Sequence, residues 1–143
     1  MKKIMKIMDV VNWLDNLNIT EDWGISYIWA GKLDNKPERG MGVYNLKHGA
    51  YEIPIGGPKN KSYEELYVSL LIHGTQYSSE TEDLSNTIYY RLIDFYSDLN
   101  LMIEGFEVNY IELLSDNENV GTDENNVYER VIEFKICYNP KNN

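Results

Sequence analysis

The chain has one cysteine, Cys137, in 143 residues. A single thiol closes no internal disulfide and builds no cysteine-type zinc site, so the fold is expected to need no covalent staple, as in a reducing compartment. Cations are scarce: 13 Lys and Arg stand against 23 Asp and Glu, for a net charge of −10. Phosphate-backbone binding rests on Lys and Arg, so this balance argues against a general nucleic-acid binder and against docking on an anionic membrane. No run of about 18 apolar residues occurs, which excludes a spanning helix. The start, Met1-Lys2-Lys3-Ile4, has the basic opening of a signal peptide. Lys6, Asp9 and Asn12 then break the apolar stretch, and no small-residue cleavage site follows. Internal repeats and low-complexity tracts are absent. The chain reads as a soluble, acidic protein made inside the cell.

What is present suffices for a core. Hydrophobic residues make up 43% of a length that fits one domain, 1–143. Tyrosine occurs 12 times, which suits either half-buried strands or contact surfaces.

Ile4, Ile7, Met8, Val11, Leu14 and Leu17 recur at spacings of three and four and predict a helix over about 4–18. The β-branched and aromatic run 25–30 predicts a strand, with Trp29 expected in the core. Residues 32–42 read as a loop, with Gly40-Met41-Gly42 as a turn. Two short strands, 43–46 and 51–54, are expected to form a hairpin around His48-Gly49, followed by a loop over 54–61. Alternation over 65–74 places Leu66, Val68, Leu70 and Ile72 on one face, and Tyr67, Ser69, Leu71 and His73 on the other. Both faces are apolar enough for a central strand. Ser79-Glu80-Thr81-Glu82 has the form of a capping box opening a helix over about 80–98. Strands follow at 106–114 and 127–138, separated by an acidic loop over 115–126, and 139–143 reads as a loose tail. The expected fold is α+β: a mostly antiparallel sheet of about five or six strands with two helices packed on one face.

A search for chemistry is negative throughout. His48 and His73 have no His, Cys or carboxylate at ligand spacing, and His73 reads as a half-buried strand residue. The run from Asp116 to Gly121 imitates a calcium loop, but Val120 and Val127 fall where ligands are required. A solvated acidic loop is the better reading; Asp116, Glu118, Asp123 and Glu124 would give only weak divalent binding. Gly56-Gly57-Pro58-Lys59 lacks phosphate-loop spacing, and Pro58 removes a donor N–H. Ser69 and His73 share a strand face but lie about 13 Å apart, too far for proton transfer. No pair among the 23 carboxylates stands out as an acid–base couple. The residues support no catalytic or cofactor role, and a non-enzymatic binding or assembly module is expected.

Three stretches carry a family resemblance. They are Glu38-Arg39-Gly40-Met41-Gly42-Val43-Tyr44-Asn45; Leu70-Leu71-Ile72-His73-Gly74 with Glu80-Thr81-Glu82 and its helix; and Val120-Gly121-Thr122-Asp123-Glu124-Asn125-Asn126-Val127-Tyr128-Glu129 leading into the last strand. With the opening helix they span most of the chain. In these the chain resembles the small minor capsid or tail-terminator proteins of tailed phages and prophages of Gram-positive bacteria, the Gly-Thr-Asp-Glu stretch being the most characteristic. The resemblance implies an α+β subunit of a homo-oligomeric ring, commonly a hexamer, at the head-proximal end of a phage tail. Such a ring stops tube growth and meets the neck or head connector; in headless tail-like bacteriocin particles it serves as a collar. Its implied partners are further copies of itself, the tail tube and sheath, and the neck protein. DNA would pass through the ring without specific binding, and no membrane is involved. The implied location is a virion or tail-like particle assembled in the bacterial cytoplasm.

A ring subunit needs contact residues. Arg39, Met41, Tyr44, Tyr51, Asp123 and Glu124 are the candidates, with Trp23, Trp29 and Tyr67 as large residues that suit either an interface or the core. Arg39 sits in a predicted loop and suits a bidentate pair with a neighbour's carboxylate. An acidic lumen would repel DNA and let it slide, although simple solubility explains the same charge. Two other classes remain open at this point. A small acidic immunity- or inhibitor-type module would bind a basic partner one-to-one and salt-sensitively. A small hydrolase would carry a carboxyl of raised pKa in a cleft.

Overall fold

A computed structural model describes residues 2–17, 24–31, 38–46, 62–115 and 117–142. In chain order its elements are β1 (Lys2–Lys3), α1 (Ile7–Asp15), β2 (Tyr27–Ala30), β3 (Gly40–Asn45), β4 (Glu64–His73) and α2 (Ser78–Asp94). A 3₁₀ turn (Phe95–Ser97) follows, then β5 (Met102–Ile103), β6 (Phe106–Leu113), β7 (Glu118–Thr122), β8 (Tyr128–Tyr138) and β9 (Lys141–Asn142). The architecture is α+β, with a mixed sheet ordered β2-β3-β4-β8-β6-β5. The β2–β3 pair is parallel, and the other pairs are antiparallel.

β8 organises the sheet. β4 runs along one side of it in unbroken register, from Glu64↔Tyr138 to His73↔Glu129. The other side is shared by β6 against its second half and β7 against its first. The period-two alternation of β4 and β8 sends Leu66, Val68, Leu70, Ile72, Ile132, Phe134 and Ile136 inward, where all are buried. Val10, Val11 and Leu14 of α1 and Leu84, Ile88 and Leu92 of α2 join the same core. Each such side chain contributes roughly 1.5–3 kcal/mol by leaving water.

Several expectations are corrected. The segment 115–126 is not all loop: it contains β7, a polar edge strand that β8 holds in place. Gly40-Met41-Gly42 is the start of β3 rather than a turn. Residues 139–142 of the tail are not loose, because β9 pairs with β1 and the Asn139 N–H donates to the Glu107 carbonyl. α1 is shorter than 4–18 and is rotated: Met5, Val10 and Trp13 are buried, while Ile4 and Met8 are exposed. Trp29 is exposed, because it points outward from β2 opposite Gly42. The hairpin with its second strand at 51–54, the loop at 54–61, Trp23 and His48 lie outside the described residues.

The capping box at Ser79 does not form either. α2 begins at Ser78 with no side-chain cap on Tyr77, and Thr75 and Thr81 instead tie the residues before the helix to its first turn. Thr81 accepts the Thr75 N–H at 3.0 Å and donates to the Tyr77 carbonyl at 3.1 Å, while the Thr75 hydroxyl donates to Glu80 at 2.9 Å. Ser79→Ala should therefore change stability by less than about 0.5 kcal/mol, against about 1 kcal/mol for a true cap, as chemical denaturation would read it.

Candidate functional site

One end of the sheet gathers three of the six candidate contact residues together with His73. β4 ends there at His73, β3 begins at Gly40 opposite it, and the β7–β8 turn closes over both. His73, expected to be half-buried, is only 1% exposed, and its Nε2 lies 2.8 Å from Oδ2 of Asp123, whose side chain is equally enclosed. The other Asp123 oxygen accepts the N–H groups of Asn125 at 2.9 Å and Val127 at 3.0 Å. The His73 hydrogen bond holds the Asp123 carboxyl below its ordinary pKa against the opposing effect of burial, and the two backbone donors add to it. The carboxylate is thus an acceptor, and the His73 Nε2 carries the donated proton. Main-chain bonds lace the rest together: Arg39 N–H to Gly74 O at 3.0 Å, Gly74 N–H to Tyr128 O at 2.9 Å, and Tyr128 N–H to Thr75 O at 2.9 Å.

The candidates separate on this frame. Arg39, Asp123 and Glu124 come together at this end. Arg39 sits in a left-handed backbone conformation, φ 57°, with its guanidinium packed near Gly24. Glu124 is exposed on the turn that Asp123 braces. Asp123, expected as a contact residue, is instead a buried brace. Met41 is fully buried against the core and offers a partner nothing; its glycine neighbours occupy the opposite face of β3. Tyr44 is half-buried further along β3, and Tyr51 lies outside the described residues.

A second cluster lies on the outward face of the sheet, and spacing arguments do not find it. The Lys135 ammonium stands 3.2 Å from a carboxylate oxygen of Glu65 and of Glu112 and lies over the rings of Tyr67 and Tyr110. Burial works to lower its pKa, but the hydrogen bonds it donates to Glu112 and Glu65 win and hold it above the ordinary lysine value. Burial, then the bond to Glu65, raises the Tyr67 phenol. The cross-strand register Tyr67↔Lys135↔Glu112 could have suggested this group, had the pairing been known.

Among the described residues, no group of three or more His, Cys, Asp and Glu is placed to hold a metal ion. The carboxyl among them with a clear shift, Asp123, is lowered, the opposite of what a general acid needs. Among the described residues, no helix is long and apolar enough to cross a membrane. A scan against protein-family models and a search of curated proteins return no match to the chain.

Proposed function

We propose that the chain is a ring subunit that caps a phage tail tube, or the tube of a headless tail-like particle, at its head-proximal end and joins it to the neck. The observation that carries this reading is the convergence of the three stretches behind the family resemblance. Residues 38–45, 70–74 and 120–129 are far apart in sequence, yet they are tied at one end of the sheet by the His73–Asp123 bond and the Arg39–Gly74–Tyr128 ladder. Two features at that end suit contact with a neighbouring copy: a braced turn with Glu124 on its outside, and half-buried Arg39, tied there through its main chain to Gly74. A closed ring repeats one such heterologous contact. In this reading the sheet is mostly antiparallel with both helices on one face, supported by the single parallel pair, β2–β3, among the described pairings. The acidic balance suits a lumen through which DNA slides without binding. The subunit resides in the virion or tail-like particle after assembly in the cytoplasm, and it performs no catalysis.

Deletion of the gene in the source cell, followed by electron microscopy of induced particles, tests the proposal. Tails of irregular or excessive length, or tails detached from heads, are expected. Normal, fully joined particles would overturn it. Arg39→Ala should reduce assembly into rings or particles while leaving the monomer folded, since Arg39 lies outside the core; undiminished assembly would remove Arg39 from the contact.

The second reading, an acidic module that binds a basic protein, is favoured by the solvent face of α2, where Glu82 and Asp83 share a side with Tyr90, which is 64% exposed. Tight, salt-sensitive one-to-one binding to a basic protein would establish it in place of the ring.

A further inference from the structure

The two flanks of the sheet are treated differently. β7 starts with a charge at Glu118 and carries an irregularity between Asn119 and Gly121, both of which discourage another strand from pairing. β2, Tyr27-Ile28-Trp29-Ala30, contains neither charge nor proline. Among the described residues it pairs with β3 alone, and the N–H and C=O groups of its outer edge meet no other described strand.

Beside that edge lies a cavity of about 360 Å³ between α1 and β2. Met8, Val11, Ile25, Ile28 and Ala30 line it with apolar surface, Ser26, Tyr27 and Trp29 of the same segment also border it, and Asp15 stands at the same wall. Asp15 is exposed and makes no ion pair or hydrogen bond with a described residue. On the other face of β2, Tyr27 and Trp29 stack with ring centroids 6.0 Å apart and 13° between planes, and they are 38% and 48% exposed.

We propose that the β2 edge and its groove bind an extended segment of a partner protein in which apolar and basic residues alternate. An added strand pairs its main chain with the open edge, and its side chains alternate between the two faces of the sheet. Those on the α1 side enter the apolar groove. Those on the other side lie over Tyr27 and Trp29, whose ring faces attract cations. Asp15 at the groove takes a flanking Lys or Arg. Local charge selects the occupant: Asp15 at the wall and the exposed ring faces of Tyr27 and Trp29 all favour cations, so a basic segment is complementary. The inference holds whether or not the chain assembles into a ring.

The test is titration of the isotope-labelled full chain with a capped heptapeptide, Lys-Ile-Lys-Ile-Lys-Ile-Lys, followed by amide NMR. Shifts are expected to concentrate at Tyr27–Ala30 and along α1. Asp15→Lys should weaken binding about tenfold, whereas Asp94→Lys, the same charge change on an exposed site of α2, should leave it within about twofold. The same peptide with Glu in place of Lys should not bind. Equal losses in the two variants would reduce the effect to bulk charge and overturn the site. Equal binding of the Glu peptide would make it an apolar pocket without charge selection. Protection of the β2 amides by concentration-dependent self-association would replace the partner with a second copy, and an absence of shifts at β2 would remove the site altogether.

Discussion

Replacing Asp123 with alanine should destabilise the protein by about 3–4 kcal/mol, because a buried pair loses one partner and leaves the other unmatched. Asp123 serves three donors: the His73 ring and the N–H groups of Asn125 and Val127. Without the carboxylate, an enclosed imidazole and two turn amides must find other acceptors. For a chain of this size a loss of that order lowers the melting temperature by roughly 10 °C, readable by calorimetry or circular dichroism. The pH dependence follows from the lowered carboxyl pKa. A group held lower in the folded state stabilises at pH above its unfolded value, about 3.9, and that contribution disappears as the pH falls through the folded value. The gap between the native chain and Asp123→Ala should therefore be full at neutral pH and narrow on acidification below about pH 4. A gap that stays constant down to acid would show that the carboxylate charge is not what braces the turn.

Gly74→Ala should be nearly as damaging, at about 3 kcal/mol, the upper part of the range for overpacking. A Cβ at Gly74 would stand 2.3 Å from Oγ1 and 2.4 Å from Cγ2 of Thr81. Thr81 is 1% exposed and cannot swing aside without releasing the Thr75 N–H and the Tyr77 carbonyl that begin α2. Glycine here is a matter of space: it lets the end of β4 pass directly under the first turn of the helix. The double variant with Thr81→Ala should be less destabilised than the sum of the two single changes, because losing Oγ1 and Cγ2 relieves the two tightest contacts of the first and leaves only the Cβ at 2.7 Å. Strict additivity in urea denaturation would mean that the two residues do not meet.

The parts of this fold legible in the sequence are those where one physical signal dominates. Leu66, Val68, Leu70 and Ile72, and again Ile132, Phe134 and Ile136, alternate cleanly because each strand has one face in a core. Leu84, Ile88 and Leu92 mark α2 for the same reason at helical spacing. β7 was invisible because Glu118, Asn119 and Gly121 have poor strand character of their own; pairing with β8 makes them a strand. Met41 was misread because glycines on both sides look like a turn, whereas in β3 they are opposite Tyr27 and Trp29 of the neighbouring strand. Trp29 was misread because size alone does not say which face of an edge strand a residue takes. Of the candidate site, Arg39 and the Gly-Thr-Asp-Glu stretch could be singled out, but not their meeting. His73 and Asp123 are 50 positions apart, and no local spacing rule reaches that far.

The position of β8 in the chain also sets an order of events. It is the strand on which β4, β6 and β7 all depend, and it lies near the carboxyl end. On the ribosome, β3 and β4 can pair early, but the second edge of β4 and the edges of β6 and β7 that pair with β8 have no partner until residues 128–138 emerge. Closure of the sheet is then a late, long-range event, which favours slow folding and a nascent chain that exposes apolar surface for most of its synthesis. Loss of residues beyond Val127 would leave three strands without their common partner, so a prematurely terminated product should be degraded or aggregate rather than persist as a smaller folded form.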